Sequence, residues 1–315
     1  MVRHDVAAVG FYTFDILARP VEAIPAGGGV AFVDDIRLVV SGTAGATAVD
    51  LAKLGLSCLA AGAVGDDDQG DLVLTKLGRH GVDISGMQRI QGISTSTTIM
   101  NVRANGERPA LHLRGASDHF TISSQLQDQV LACRYVHLGG TGFLRSLDGA
   151  PSLRLLKAAK AAGCITTFDL IAPEMDGSSL VEPLLPFIDY VMPSIEEARI
   201  LSGSADPVEA ANWFIGRGVQ VAAITLGGEG SVVVDADGQV LCIPAFDVPV
   251  VDTTGCGDAY VAGMITARIK GMDLESSVRF ASAAAALVAS GLGSDAGIVS
   301  FEHTLDRMRA LPHRN

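Results

Sequence analysis

The sequence predicts an α/β protein with three layers: a mainly parallel β-sheet covered by helices on both faces, plus a small β lid. Three observations lead there. Strand-like and helix-like segments alternate along most of the 315 residues, which is the layout of βαβ units. The strand-like segments are apolar at nearly every position, as strands buried on both faces are. Two stretches, about 12–40 and 94–116, break the alternation with short extended pieces and turn signals, and these are assigned to the lid. A hydrophobic content of 48% is ample for one large core, and residues 1–315 are read as a single unit.

Val6 to Val9 is a short apolar run ending at Gly10, the expected first strand. Asp15 follows, and from Ile16 to Val40 the chain is punctuated by Pro20, Pro25 and Gly27 to Gly29. Small residues open the stretch Ser41 to Gly55, in which Ala48, Leu51 and Leu54 mark a helical stripe. A strand at Cys58 to Val64 and a helix at Gly70 to Leu77 come next. In the second lid piece, Ser96 to Leu113, two apolar-rich runs flank Asn105-Gly106, a strong hairpin signal.

The alternation resumes with a strand at Tyr135 to Leu138, a helix at Leu153 to Ala162 and a strand at Ile165 to Asp169. Gly139 to Gly142 and Asp169 fall at strand ends, where ligands bind on such sheets. Tight turns explain them equally well. After Tyr190, Ser194 and Glu197 match a capping box at a helix start. A strand at Val219 to Thr225 leads into Leu226-Gly227-Gly228-Glu229-Gly230, followed by extended Ser231 to Asp235, a turn at Asp237-Gly238 and extended Val240 to Ile243. Leu274 to Ser290 reads as a helix whose small residues, Ala281 to Ala286, allow close packing.

Chemistry concentrates in residues 247–263. Val248 to Val251 reads as a short buried strand, Asp252-Thr253-Thr254 as a polar bend, and Gly255-Cys256-Gly257 as a loop after which Asp258 opens an apolar helix. A helix start leaves backbone N–H groups unpaired, and glycines let an anion reach them, so this stretch makes a phosphate cradle with one carboxylate at its rim. Such an arrangement suits phosphoryl transfer to an alcohol, with Asp258 accepting the hydroxyl proton. A lone Gly-x-Gly-Asp is commonly an ordinary turn, but Asp-Thr-Thr-Gly-Cys-Gly-Asp is longer and more specific.

This stretch resembles the C-terminal motif Asp-Thr-x-Gly-Ala-Gly-Asp of the ribokinase-like (PfkB) carbohydrate kinases, and the resemblance extends over nearly the whole chain. It implies that Asp258 is the catalytic base, with Gly255, Cys256 and Gly257 as the anion hole. It implies further that Asp15 binds substrate hydroxyls together with Gly42 and Thr43. Ser41 to Ala46 is similar to the family's Gly-Gly-x-x-x-Asn motif, but Ala46 stands where a sugar-binding Asn is common. Ser194 likewise departs from the Asn of an Asn-x-x-Glu motif, whose Glu, here Glu197, orders water around Mg²⁺. The nucleotide is expected at Ser194, Glu197, Thr225, Gly227, Gly230 and Ser282. A monovalent cation, K⁺ in this family, is expected at Asp252, Thr254, Val288, Gly291 and Gly293. The implied activity is ATP- and Mg²⁺-dependent phosphorylation of a hydroxymethyl group on a sugar or related polyol, by a homodimer joined through the lid.

Three alternatives stay open: a nucleoside kinase of the same fold, an NAD-binding oxidoreductase and a catalytically silent sugar-binding protein. The oxidoreductase lacks support because Gly255-Cys256-Gly257 has no third glycine at the dinucleotide spacing. No Gly-x-x-x-x-Gly-Lys-Ser/Thr sequence occurs, which disfavours a P-loop kinase. The formal net charge of −12 disfavours nucleic-acid binding. No apolar run reaches the roughly 18 residues of a membrane span and the N-terminus lacks a signal-peptide layout, so a cytoplasmic protein without a membrane partner is expected. Five scattered cysteines argue against a disulfide framework or structural zinc, and Cys256 is read as a small filler.

Overall fold

The computed structural model describes residues 4–171 and 177–314. The segment Met1 to Arg3, on which the expectation of no signal peptide partly rests, lies outside the described residues. From β1 (Val6–Gly10) the chain leaves the main layer for an antiparallel pair, β2 (Thr13–Arg19) and β3 (Asp35–Ser41). It returns through α1 (Gly45–Lys53) to β4 (Cys58–Gly65), α2 (Asp68–Arg79) and β5 (Asp83–Ile90). A second excursion makes the hairpin β6 (Thr97–Asn101) and β7 (Ala110–Leu113). Next come α3 (Ser124–Leu131), β8 (Tyr135–Thr141), α4 (Ala150–Ala161), β9 (Ile165–Leu170), α5 (Gly177–Val181), β10 (Tyr190–Val191), α6 (Ile195–Ser202), α7 (Pro207–Ile215) and β11 (Val221–Thr225). The antiparallel strands β12 (Ser231–Asp235) and β13 (Val240–Ile243) precede α8 (Cys256–Ile269), α9 (Leu274–Ala289) and α10 (Phe301–Ala310).

Among the described residues the main sheet has nine strands in the order β13-β12-β11-β10-β9-β8-β1-β4-β5, parallel from β11 to β5. Its strands are apolar throughout because both faces are covered. Val6 and Ala8 point into a core shared with α1, α2, α8 and α9, while Ala7 and Val9 point into a second core under α3, α4, α6 and α7. Helices α8 and α9 cross closely: a Cβ on Gly263 would stand 2.8 Å from the Ala281 Cα, which is what the small-residue run permits.

The two insertions meet in a separate four-stranded sheet, β3-β2-β6-β7. Strand alternation sorts its faces. Asp15 pairs with Val39 and Thr98 on the side toward the main sheet, whereas Ile16, Leu38, Ile99 and Leu111 line up across the outer side.

Several expectations need correction. Val248 to Val251 is not a strand: Pro249 offers no N–H to a ladder, Val250 is 46% exposed, and the segment is irregular. Helix α8 starts at Cys256, with Gly255 as its N-cap, so Asp258 is the third helical residue and not the opener. Gly139 to Thr141 continue β8, so the tight-turn explanation fails for them, and β11 starts at Val221, two residues later than expected. Asp15, placed after the first strand in the sequence, is a buried residue of β2. Strand β5 and helices α3, α7 and α10 carry no counterpart in the sequence reading.

Candidate active site

The start of α8 differs from most helix starts in this chain. Side chains cap α2, α3, α6, α7, α9 and α10 at Asp67, Ser123, Ser194, Asp206, Asp273 and Ser300, whereas α8 has no side-chain cap. Its Gly255 has φ +79°, and a Cβ there would lie 2.5 Å from the Ser294 Cα, so only glycine fits. Cys256 N–H makes only a long bond of 3.4 Å to the Thr253 carbonyl, so the amides that open α8 are available to a ligand at the positive end of the helix dipole.

Asp258 is half-buried, next to the fully buried Ala259. Burial pushes the Asp258 carboxyl up to about 7; Asp15 and Glu197 repel the charge further, and the Arg108 guanidinium opposes the rise. Asp15 is 1% exposed and is raised to about 6, chiefly by burial, with the Ser41, Thr98 and Thr13 hydroxyls and Arg108 pulling it back. The Asp15 charge is thus felt at Asp258, and one guanidinium acts on both carboxyls.

Arg108 is not among the residues that the sequence singles out. It lies in the β6–β7 loop, and its Nε donates to Thr253 Oγ1 at 3.1 Å, fastening the small sheet to the bend before α8. The Asn105-Gly106 turn was the available signal, but contact across 145 residues is not written in local sequence.

Several buried oxygens lack partners among the described residues. Asp15 Oδ1, Thr43 Oγ1 and Thr141 Oγ1 are enclosed without a hydrogen bond, and groups in that state are the ones ligand hydroxyls satisfy. Gly42 has φ +85°, and a Cβ on it would meet the Phe11 carbonyl at 2.5 Å. Beneath Thr43 lies His137, whose Nε2 is 3.3 Å from the Thr43 carbonyl and whose Nδ1 is 3.0 Å from Thr167 Oγ1. Burial pushes this imidazole down to about 4, so it is a neutral support. Ala46 is fully buried and offers only a methyl group.

A single cleft brings together Thr225, Gly227, Gly230, Ser282, Cys256 and Gly257. Its apolar wall is Phe246, Val248, Ala285, Ala286 and Ala289. Arg314, also missed by the sequence reading, closes one side next to Gly228, held by its own N–H on the Ala245 carbonyl at 2.8 Å. Cys256 behaves as filler: burial and the neighbouring Asp252 push its thiol up to about 12.

Ser194 and Glu197 do not line that cleft. They form the capping box, with Glu197 Oε2 accepting from the Ser194 N–H at 2.8 Å and Ser194 Oγ accepting from the Glu197 N–H at 3.3 Å. Glu197 nevertheless adds negative potential to the buried Asp169 and to Asp258, and Asp169 is raised by burial and by both of them. Among the described residues no three acidic, His or Cys side chains converge into a metal cage. Mg²⁺ does not need one, since it keeps waters and binds through one or two carboxylates plus phosphate oxygens. The mutually repelling Asp169, Glu197 and Asp258 fit that mode.

Asp252 is fully buried and clamps two loops together. Its Oδ1 accepts from Thr254 N–H at 2.9 Å and Oγ1 at 2.7 Å, and its Oδ2 accepts from Gly293 N–H at 3.0 Å. The Val288 carbonyl accepts from Gly291 N–H at 3.1 Å, and Ala289, one residue on, receives the Val251 N–H at 2.8 Å. Thus Asp252, Thr254 and Gly293 are joined directly, and Val288 and Gly291 bound the same loop.

The sheet order and the uncapped helix over a lidded cleft define the ribokinase-like class of α/β proteins. The chain belongs to the pfkB family of carbohydrate kinases, whose family model matches residues 3–299. An uncharacterized sugar kinase of Archaeoglobus fulgidus is 30% identical over 249 residues, covering 79% of this chain and 97% of that protein. A nucleoside kinase of Methanothermobacter thermautotrophicus is 29% identical over 311 residues, covering 97% and 96%. Among solved structures, Arabidopsis thaliana ribokinase complexed with ribose and ATP superposes with a TM-score of 0.81 at 23% identity, covering 98% of this chain and 99% of that one. An E. coli protein in complex with ATP and Mg²⁺ gives 0.83 at 22%, covering 97% and 99%. Family membership removes the oxidoreductase alternative. No helix among the described residues is long and apolar enough to cross a membrane.

Proposed function

We propose that this protein transfers a phosphoryl group from ATP to a hydroxymethyl group of a sugar or related polyol, with Asp258 as general base. The observation that carries this reading is the placement of Asp258: third residue of an uncapped helix, raised to about 7, and electrostatically coupled to Asp15. A carboxyl near neutrality takes the proton of the attacking hydroxyl efficiently. The open α8 amides and Arg108 stabilise charge on the moving phosphoryl group. ATP lies in the Thr225–Ser282 cleft, whose glycines suit phosphates and whose apolar wall suits a base. Mg²⁺, held through Asp169 and Glu197, would neutralise phosphate charge. K⁺ beside the Asp252 clamp would stiffen the anion hole. The test is ADP release with Mg·ATP against a panel of neutral sugars, phosphosugars and nucleosides, repeated with K⁺ replaced by tetramethylammonium. No turnover of any acceptor sinks the proposal, and equal rates in both salts remove the K⁺ part.

Asp15 serves as a hydroxyl acceptor and not in the chemistry. Asp15→Ala is expected to raise KM for the acceptor about tenfold or more, the scale of a lost charged hydrogen bond of roughly 1.5–3 kcal/mol, with KM for ATP little changed. Unaltered acceptor kinetics refute this role.

A second reading rests on a different observation. Phe11, His112 and Phe143 form an aromatic triangle with ring centroids 5.5–5.7 Å apart, and Arg114 lies over Phe143 at 4.9 Å. Such a wall suits a planar base, so the acceptor would be a nucleoside. Faster turnover of nucleosides than of free sugars in the panel decides for it.

We also propose that the outer face of the small sheet joins two copies. Ile36, Leu38, Ile99, Leu111 and Leu113 are 41–68% exposed there, a contiguous apolar strip of the kind that marks an interface. Light scattering is expected to give a dimer, and Ile99→Glu with Leu111→Glu a monomer. A monomeric unmodified protein at tens of micromolar overturns this.

A further inference from the structure

Beside the Gly291–Gly297 loop lies a cavity of about 440 Å³. It is walled by Arg37 from β3, Lys53 from α1, Lys76 and His80 from α2, and Asp295 from the loop. The whole chain carries 35 acidic against 23 basic side chains. This cavity inverts that ratio, with three permanent cations and a histidine around one carboxylate.

The inventory of partners leaves cationic capacity unused. Lys53 Nζ donates to the Asp295 carboxylate at 2.6 Å and to its carbonyl at 2.7 Å. Arg37 leans on Asp35 at 2.9 Å in an exposed pair, a weak commitment. His80 Nε2 is 4.0 Å from Asp295 Oδ2. Among the described residues Lys76 has no acid within ion-pair distance. His80 is held below the usual imidazole range by burial and by Lys53 and Lys76, even with Asp295 beside it. The cavity interior is therefore positive. Part of its wall is apolar, made by Val40, Val49 and Leu292.

We propose that this cavity binds a small phosphate monoester, the dianion meeting Lys76, Arg37 and His80 and the carbon skeleton resting on Val40, Val49 and Leu292. A planar guanidinium and two flexible nitrogen donors match three phosphate oxygens. The cavity also reaches the candidate active site. Gly293 and Ser294, adjacent to Asp295, contact Asp252 and the Gly255 cap of α8, respectively. Asp50, one turn before Lys53 on α1, is fully buried with both carboxyl oxygens unpartnered, and feels Asp295, Lys53 and Asp258. A ligand that draws Lys53 away from Asp295 loosens the loop that shapes the anion hole. This second step rests on the reading of Gly255 to Asp258 given above; the binding step does not.

The test is calorimetric titration of the full chain with glycerol 3-phosphate, with glycerol as the uncharged control. One equivalent of the phosphate ester is expected to bind and glycerol not at all. Lys76→Glu and Arg37→Ala, on separate elements and outside the proposed catalytic machinery, should each weaken binding at least tenfold while keeping the unfolding midpoint. Since the groups facing His80 are Lys53, Lys76, Arg37 and Asp295, a bound dianion favours its protonated form. Titrations identical in both variants mean that phosphate binds only at the α8 amides, and overturn the site; so does no binding at millimolar ligand. For the coupling, amide exchange in residues 291–297 should change on ligand binding in the unmodified protein and not in Lys76→Glu. Unchanged exchange with binding intact refutes the coupling alone, and kinase inactivity leaves the binding result standing.

Discussion

Asp258→Asn is expected to lower kcat by roughly 10²–10⁴, the usual contribution of a positioned general base, with KM for ATP little changed. Asn has nearly the same shape and stays compatible with the third position of α8. The unmodified enzyme should gain activity as pH rises through about 7, where the Asp258 carboxyl ionises, and reach a plateau above it. The variant should lose that limb of the profile.

Stability gives an independent readout with the opposite sign. A carboxyl raised from 3.8 to about 7 on folding favours the folded state when protonated, and that contribution is lost as pH rises through the folded value. At pH 8 the protein carries an ionised group in a place that penalises charge. Removing the charge with Asn should therefore raise the unfolding midpoint at pH 8 and change it little at pH 4. A residue kept only to complement the helix dipole predicts near-normal turnover and a modest loss of stability at pH 8. Near-normal kcat in Asp258→Asn ends the base assignment.

Arg108→Ala is expected to lower kcat by about 10² or more, the scale seen when one preorganised charge at a developing anion is removed. The side chain starts in the β6–β7 loop, reaches Thr253 and lowers the carboxyls of both Asp15 and Asp258. Its loss should also shift the rising limb of the pH profile upward, because a cation that favours ionised Asp258 is gone. Arg108→Lys should restore the limb's position more fully than the rate, since it keeps charge but not the planar fork. If both variants turn over normally with unshifted profiles, Arg108 is only a surface tether between the small sheet and the bend.

Where local sequence was decisive, it was so for stated reasons. The capping box at Ser194 and Glu197 and the Asn105-Gly106 hairpin depend on neighbours three or four residues apart, and both stand in the structure. The apolar strands and the close α8–α9 crossing follow from residue size and polarity alone. The small sheet was legible as two insertions, and its strand order was not, because the β2–β6 pairing joins segments more than 80 residues apart. Short amphipathic helices such as α3 and α7 escaped because their periodic signal spans barely two turns. Val248 to Val251 reads two ways, since three valines and a proline fit a buried strand and a cleft wall alike.

The sequence by itself determined the family-like motif, the alternation that makes a doubly covered parallel sheet, and the position of Asp258 beside a glycine-rich helix start. These are properties of composition and short-range order, which bonded neighbours dictate. Tertiary structure alone decided that Asp15 is buried with an oxygen unpartnered among the described residues, that Arg108 reaches Thr253, that His137 supports Thr43 and that Arg314 borders the Thr225–Ser282 cleft. Each depends on burial or on a charge brought close by a distant segment, and desolvation and Coulomb energy are functions of distance in space and not along the chain.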